Sequence, residues 1–84
     1  MTLSDFKIGT EFHVGDRRWR VTDVGTRVVV AIRLDEVVMS YNDGRSATFN
    51  QIEAQFQGLF NGPPYAVNEV VFDEYDFEEC IKAV

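Results

Sequence analysis

Residues 11 to 34 contain three strand-like runs, of which the first two alternate between apolar and polar residues, and this pattern predicts three antiparallel strands. The first two strands flank Gly15-Asp16, and a two-residue loop led by glycine is typical of a tight hairpin turn. This turn sets the cross-strand pairs Glu11 with Arg20, Phe12 with Trp19, and His13 with Arg18. A second turn at Val24-Gly25, closed by Asp23 and Thr26, sets the pairs Val21 with Val28 and Trp19 with Val30.

Because side chains alternate between the two sides of a strand, these registers define two faces of a sheet. The face predicted to be buried carries Phe12, Val14, Trp19, Val21, Val28, Val30 and Ile32. The opposite face carries Glu11, His13, Arg18, Arg20, Thr22, Arg27 and Arg33, interrupted by Val29 and Ala31. We therefore expect an apolar core face backed by a basic surface.

Short elements are predicted on both sides of these strands. A turn or short helix near the start brings Leu3, Phe6 and Ile8 to one end of the core. Residues 37–41 are rich enough in β-formers for a fourth strand. Asn50 and Glu53 have the spacing of a capping box, with Ile52 and Phe56 one turn apart and Gly58 as the stop of a short helix.

The last third of the chain begins with the break Asn61-Gly62-Pro63-Pro64, where two prolines favour extended or polyproline geometry. Residues 65–75 return to strand character, with apolar residues on both faces that predict a central position. Residues 76–79 then resemble a second capping box, so a terminal helical turn carrying Cys80, Ile81 and Val84 is expected to fold back onto the sheet.

These elements predict one domain, residues 1–84, of the α+β class and mostly β. Its centre is an antiparallel meander of three strands, about residues 11–34. One or two further strands complete a small barrel-like or curved sheet, and one or two short helices accompany it.

Charge is unevenly distributed along the 84 residues, whose net charge is −6. Residues 1–34 carry six Lys or Arg and four Asp or Glu, a balance of +2, whereas residues 35–84 carry two and ten, a balance of −8. A single cysteine, no signal-like apolar run and no membrane-spanning stretch predict a cytoplasmic protein without a membrane partner.

The basic surface is the first candidate site, consisting of Arg18, Arg20, Arg27 and Arg33 with His13 at its edge. Guanidinium groups fork onto carboxylate and phosphate oxygens, which makes this surface a candidate for contact with an anion. The alternative, which the usual wet face of an antiparallel sheet favours, is a solvated surface whose arginines pair with the acids of the chain itself.

The second candidate surface is the bend formed by Phe60, Pro63, Pro64 and Tyr65, which places apolar groups around a rigid turn. Its alternative is a loop that Phe60 and Tyr65 anchor to the core.

No metal site, cofactor or catalytic group is predicted. His13 and Cys80 are too few for a zinc site, and the acidic run from Asp73 to Glu79 lacks the pattern of a calcium loop. Neither His13 nor Cys80 has an orienting acid or oxyanion donor in the sequence pattern, so we expect no enzyme.

Two strings, residues 23–35 (Asp-Val-Gly-Thr-Arg leading to Val-Ala-Ile-Arg-Leu-Asp) and residues 61–74 (Asn-Gly-Pro-Pro-Tyr-Ala-Val leading to Phe-Asp-Glu), resemble small uncharacterised bacterial proteins. The resemblance implies a bacterial cytoplasmic origin and carries no activity onto any residue.

The leading hypothesis is a non-enzymatic interaction module that binds an acidic protein partner, or itself, through the basic surface. The alternative is a nucleic-acid-binding accessory domain that contacts phosphates through the same residues. The net negative charge, together with the placement of Trp19 and Phe12 on the inner face, disfavours nucleic acid.

Overall fold

The computed structural model describes residues 1–83 and contains two antiparallel sheets. The strands are β1 (Glu11–Val14), β2 (Arg17–Val24), β3 (Val29–Arg33), β4 (Glu36–Ser40), β5 (Ser46–Asn50), β6 (Glu69–Phe72) and β7 (Cys80–Lys82). One α-helix, α1 (Gln51–Phe56), and two 3₁₀ helices, Leu3–Asp5 and Phe77–Glu79, accompany them. Five strands form one sheet in the order β6-β3-β2-β1-β7, and β4 pairs with β5 in a separate hairpin.

The predicted fold class is confirmed: the chain is mostly β, antiparallel, with short helices. The five-stranded sheet stays open, with β6 and β7 at its edges, and does not close into a barrel.

The predicted register of the first hairpin is confirmed. Glu11 pairs with Arg20, Phe12 with Trp19, and His13 with Arg18. Gly15 has a φ of +61°, a left-handed conformation that glycine adopts at low cost, so the turn chemistry fixes this pairing locally.

The predicted register between the second and third strands is wrong by three residues. Trp19 pairs with Arg33 and Val21 with Ala31, and the ladder has an irregularity between Val21 and Asp23 that adds one residue to β2. The connection is also longer than predicted, because the amide of Gly25 donates to the carbonyl of Val28 rather than closing a two-residue turn. An odd shift turns every side chain of β3 to the other face.

The two faces of the sheet therefore differ from those predicted. The aromatic face carries Phe12, Trp19, Val21, Val29, Ala31 and Phe72, which pack with Phe6, Phe77 and Cys80 into one core. The arginine face, as we name the other side, carries His13, Arg18, Arg20 and Ile32. Ile32 is fully buried there, in a second core formed with Leu34, Val37, Ala54 and Phe60.

Aromatic rings hold the first core together. The ring of Phe72 meets those of Phe12 and Trp19 edge-on, with centroids 5.4 Å and 4.9 Å apart, and Phe6 lies 4.9 Å from Phe77. Edge-to-face pairs of this kind add to the gain from burying the rings. The predicted core role of Phe6 is confirmed, whereas Ile8, placed in the core by the sequence pattern, is exposed in the turn before Gly9.

The β4–β5 hairpin and α1 cover part of the arginine face. The predicted fourth strand is confirmed, and its partner β5 was not predicted. The predicted capping box is confirmed, since the side chain of Asn50 accepts from the amide of Glu53 and that of Glu53 accepts from the amide of Asn50. Ile52 and Phe56 nevertheless point to solvent, 80% and 91% exposed.

The last third departs most from expectation. The predicted central strand is instead β6, a four-residue edge strand that pairs only with β3. The predicted terminal turn is present as the 3₁₀ helix Phe77–Glu79, but Cys80 and Ile81 continue into β7, because they pair with β1. Val84, placed in the same turn, lies outside the described residues.

Candidate interaction surfaces

The sheet brings three of the five predicted anion-binding residues together. His13 pairs with Arg18 across the first hairpin, and Arg20 follows Arg18 on the same face of β2. Arg33 pairs with Trp19 and so belongs to the opposite face, while Arg27 lies in the connection between β2 and β3. The five residues therefore do not form one surface, because the shifted register of β3 separates them.

Most of these arginines contact carboxylates of the chain itself. Arg18 donates to Glu11 at 2.8 Å, and Arg27 donates to Glu74 at 3.2 Å in an exposed pair. Exposed pairs of this kind contribute little to stability. The contacts agree with the alternative in which the basic residues are balanced internally.

Arg33 makes the most complete of these contacts. Its Nε and one terminal nitrogen donate to the two carboxylate oxygens of Asp35 at 3.0 and 2.8 Å, and Glu36 lies 3.6 Å away. The amide of Arg18 donates to the same carboxylate at 3.0 Å. The hydrogen bonds from Arg33 hold the pKa of the Asp35 carboxyl below its ordinary value of 3.8, and Asp35 in turn raises the pKa of Arg33.

Arg20 differs from the other three arginines of the predicted basic surface. Its guanidinium carbon lies 5.9 Å from the centre of the Phe60 ring, a distance suited to a cation–π contact. In the described part of the chain no carboxylate lies within ion-pair distance of it. The two surfaces predicted separately, the arginines and the bend, therefore meet where Arg20 rests on Phe60.

The bend itself is anchored as its alternative predicted. Phe60 is buried in the second core and Tyr65 packs against the same core, whereas Pro63 and Pro64 are exposed. Residues 62–65 form a turn rather than the predicted polyproline segment, and both proline peptide bonds are cis. The Tyr65 ring lies against the backbone of Gly62, where a Cβ atom would be 2.6 Å from it, so only glycine fits.

A cleft of about 270 Å³ opens on the aromatic face. Trp19, Arg33 and Val70 of the sheet line it, and residues 36–39 and 66–68 complete the lining. Trp19 is 8% exposed, and its indole N–H has no hydrogen-bond partner among residues 1–83. A second, shallower depression of about 480 Å³ lies between residues 25–28 and 73–75.

Cys80 is a buried free thiol. Its sulfur donates to the carbonyl of Asp76 at 3.3 Å, and burial, more than the nearby Asp76 and Glu79, raises the pKa of the thiol above its ordinary value of 9.0. From Met1 to Ala83 no group of three or more His, Cys, Asp or Glu side chains is arranged to hold a metal ion. No helix in the same range is both long and apolar enough to cross a membrane.

No protein-family model, curated protein or solved structure matches this chain. The proposals below therefore rest on its residues and their geometry.

Sequence reasoning missed the outer edge of β6. Its Val70-Val71 pair was assigned to a buried central strand, yet the side chains are 40% and 60% exposed. One signal for an edge was available, because the acidic run from Asp73 follows immediately and charge commonly flanks edge strands.

Proposed function

We propose that this chain is a non-enzymatic protein-interaction module that binds an acidic partner protein through the arginine face. The observation that carries the proposal is Arg20, which is half-buried, stacked on Phe60 and without a carboxylate partner in residues 1–83. A guanidinium offers five donors in one plane and forks onto a carboxylate. The donors of Arg20 are therefore available to an acidic side chain of another protein.

The surroundings of Arg20 support the same function. Phe60 is buried in the second core, so the ring beneath Arg20 is fixed, and a fixed side chain loses little entropy on binding. Arginine and aromatic residues are also the types that most often dominate protein interfaces. His13 and Arg18, on the same face, extend the surface that a partner meets.

The alternative function, contact with nucleic-acid phosphates, requires several unpaired basic groups on one surface. Arg18, Arg27 and Arg33 each lie in ion-pair contact with a carboxylate of the chain, and the net charge is −6. These contacts favour an acidic protein over a polyanion. A second copy of the chain is one such acidic protein, because residues 35–84 carry a balance of −8.

The test compares Arg20→Ala with Arg17→Ala as baits in affinity capture from bacterial lysate. Arg17 is an exposed arginine of the same strand, and its side chain points to the other face. Because both variants replace an arginine by alanine, they change the net charge equally. We expect Arg20→Ala to lose a protein that the wild type and Arg17→Ala both retain. Nuclease treatment of the lysate should not release that protein.

Two results would contradict this function. If the Arg20→Ala and Arg17→Ala baits capture the same proteins, Arg20 is solvated surface and the arginine face has no partner. If nuclease releases the captured material, the nucleic-acid alternative replaces the proposal. Sedimentation of the wild type at low salt distinguishes a different acidic protein from a second copy of the chain as the partner. If the partner is a second copy, the wild type sediments as a dimer and the Arg20→Ala variant as a monomer.

A further inference from the structure

The outer edge of β6 carries unpaired backbone groups at defined positions. The amide of Leu34 donates to the carbonyl of Arg18, so even-numbered residues of β3 direct their N–H and C=O groups towards β2. Ala31 and Val29 therefore point theirs towards β6, where they pair with Val70 and Phe72.

The alternation continues across β6. Since Val70 and Phe72 use their backbone groups on β3, the N–H and C=O groups of Glu69 and Val71 point outward. No part of the chain from Met1 to Ala83 hydrogen-bonds with the backbone of these two residues. Two outward residues spaced by two positions form a template for one more strand.

A cleft adjoins this edge on the aromatic face. Asn68, Val70, Trp19 and Arg33 are among the residues that line the cleft of about 270 Å³. A strand paired with β6 would place one side chain on the aromatic face beside Val70, next to this cleft. The edge therefore supplies backbone hydrogen bonds and the cleft supplies a pocket for a side chain. Recognition by strand addition uses both.

We propose that the β6 edge binds an extended peptide segment of a partner protein, one that carries an apolar side chain opposite Val70 and a basic side chain opposite Glu69. The charge follows from the surroundings. Glu69, whose carboxylate accepts a hydrogen bond from the Thr22 hydroxyl, and Asp73 flank the edge without a basic partner in residues 1–83, and residues 35–84 are strongly acidic.

The side chains of Glu69 and Val71 lie at the β6 end of the arginine face, with β3 between them and Arg20, whereas Val70 lies on the aromatic face. The β6 edge and Arg20 are therefore separate contacts that attract partners of opposite charge.

An antiparallel peptide fits the outward groups. Its two residues opposite Glu69 and Val71 each exchange two backbone hydrogen bonds with the strand, and the residue between them faces Val70. The peptide Lys-Thr-Val-Leu-Lys-Thr matches this arrangement: its leucine lies opposite Val70, its valine opposite Val71 and its second lysine opposite Glu69.

The test titrates this peptide into the protein and follows the fluorescence of Trp19, the single tryptophan, which lines the cleft. The control is the same peptide N-methylated at its valine and second lysine, which removes the two donors that face β6. We expect the plain peptide to bind and the methylated one to bind about tenfold more weakly or worse. Equal affinities would overturn the proposal.

Protein variants test the same edge from the other side. Val71→Pro removes the outward N–H, and proline is tolerated on the solvent side of an edge strand. We expect it to weaken binding about tenfold, while Val71→Thr keeps the affinity within about twofold. Lys82→Pro makes the matched change on β7, whose Lys82 points its N–H outward, and should leave binding unchanged.

Circular dichroism checks that each variant is folded. The methylated peptide tests the edge on the wild-type protein, so that test does not depend on whether the variants fold. If the peptide does not bind and the wild type forms a dimer that Val71→Pro abolishes, a second copy occupies the edge and the proposal fails. Arg20→Ala should not change peptide binding, so failure here is distinguishable from failure of the proposed function.

Discussion

The two edges of the five-stranded sheet differ in the partners of their outward backbone groups and in the charge on the strand. At the β7 edge, the amino group of Met1 donates to the carbonyls of Phe77 and Cys80 at 2.9 and 3.2 Å, and Lys82 places a charge on the strand. At the β6 edge, the outward groups of Glu69 and Val71 have no partner among residues 1–83, and Val71 is 60% exposed.

Natural proteins protect sheet edges because an unpaired strand is a template for another chain. Here one edge has its Cys80 carbonyl bonded to the amino group of Met1 and carries a lysine, while the other presents two valines beside a cleft. The two edges therefore differ in exposure, and the peptide-binding proposal accounts for the exposed apolar edge of β6. Four expected outcomes test the comparison.

The largest expected effect on the free energy of unfolding concerns the residue that anchors the exposed β6 edge to the core. Phe72 is the buried residue of β6 and meets Phe12 and Trp19 edge-on. We expect Phe72→Ala to lower the free energy of unfolding by about 3–5 kcal/mol, because it removes a buried ring and leaves a cavity. Urea unfolding followed by circular dichroism measures the change.

The control for this experiment is Val71→Ala on the same strand. Since Val71 is 60% exposed, its loss should cost less than about 1 kcal/mol. Equal losses in the two variants would mean that β6 is not anchored through Phe72.

Thiol reactivity compares the two edges directly. Cys80 on β7 is 3% exposed and its pKa is raised by burial, so iodoacetamide must wait for local opening. We expect it to react about 100-fold more slowly than the cysteine of a Val71→Cys, Cys80→Ala double variant. Mass spectrometry of alkylation over time gives both rates, and similar rates would show that the Cys80 side chain of β7 is not held in the aromatic core.

A smaller effect concerns Asp35, which accepts two hydrogen bonds from Arg33, a residue that lines the cleft beside β6. We expect Asp35→Asn to lower the free energy of unfolding by about 1 kcal/mol near neutral pH, because the variant loses the ion pair. The folded-state pKa of Asp35 is depressed below 3.8, so its contribution is present above that pH and lost as pH falls through the folded value.

Unfolding curves at several pH values should therefore converge for Asp35→Asn and wild type in acid. The exposed pair of Arg27 with Glu74 provides the control, since Glu74→Gln should change nothing measurable. A difference between Asp35→Asn and wild type that is independent of pH would assign the effect to packing instead of charge.

The smallest expected effect is on the stability of Val71→Lys, which gives the open edge the charge that β7 already has. Because the side chain is mostly exposed, the free energy of unfolding should stay within about 0.5 kcal/mol of wild type. Chemical denaturation tests this, and a larger loss would show that Val71 is part of the core.

The sequence predicted the two candidate surfaces only in part. Arg18, Arg20 and His13 lie on one face because the first hairpin has the predicted register. Arg27 and Arg33 lie elsewhere, and the contact of Arg20 with Phe60 joins residues forty positions apart, which no local pattern reveals. The β6 edge was missed because a run of apolar residues fits a central and an edge strand equally well.

What the sequence determined by itself was local: the Gly15-Asp16 hairpin, the capping box of α1 and the mostly β antiparallel class all follow from turn chemistry, capping and alternation. The tertiary structure decided the register of β3. Residues 28–32 are apolar at every position, so alternation gives no phase to choose between registers. Packing on both sides made that choice: Val29 and Ala31 join the aromatic core, while Ile32 joins the second one.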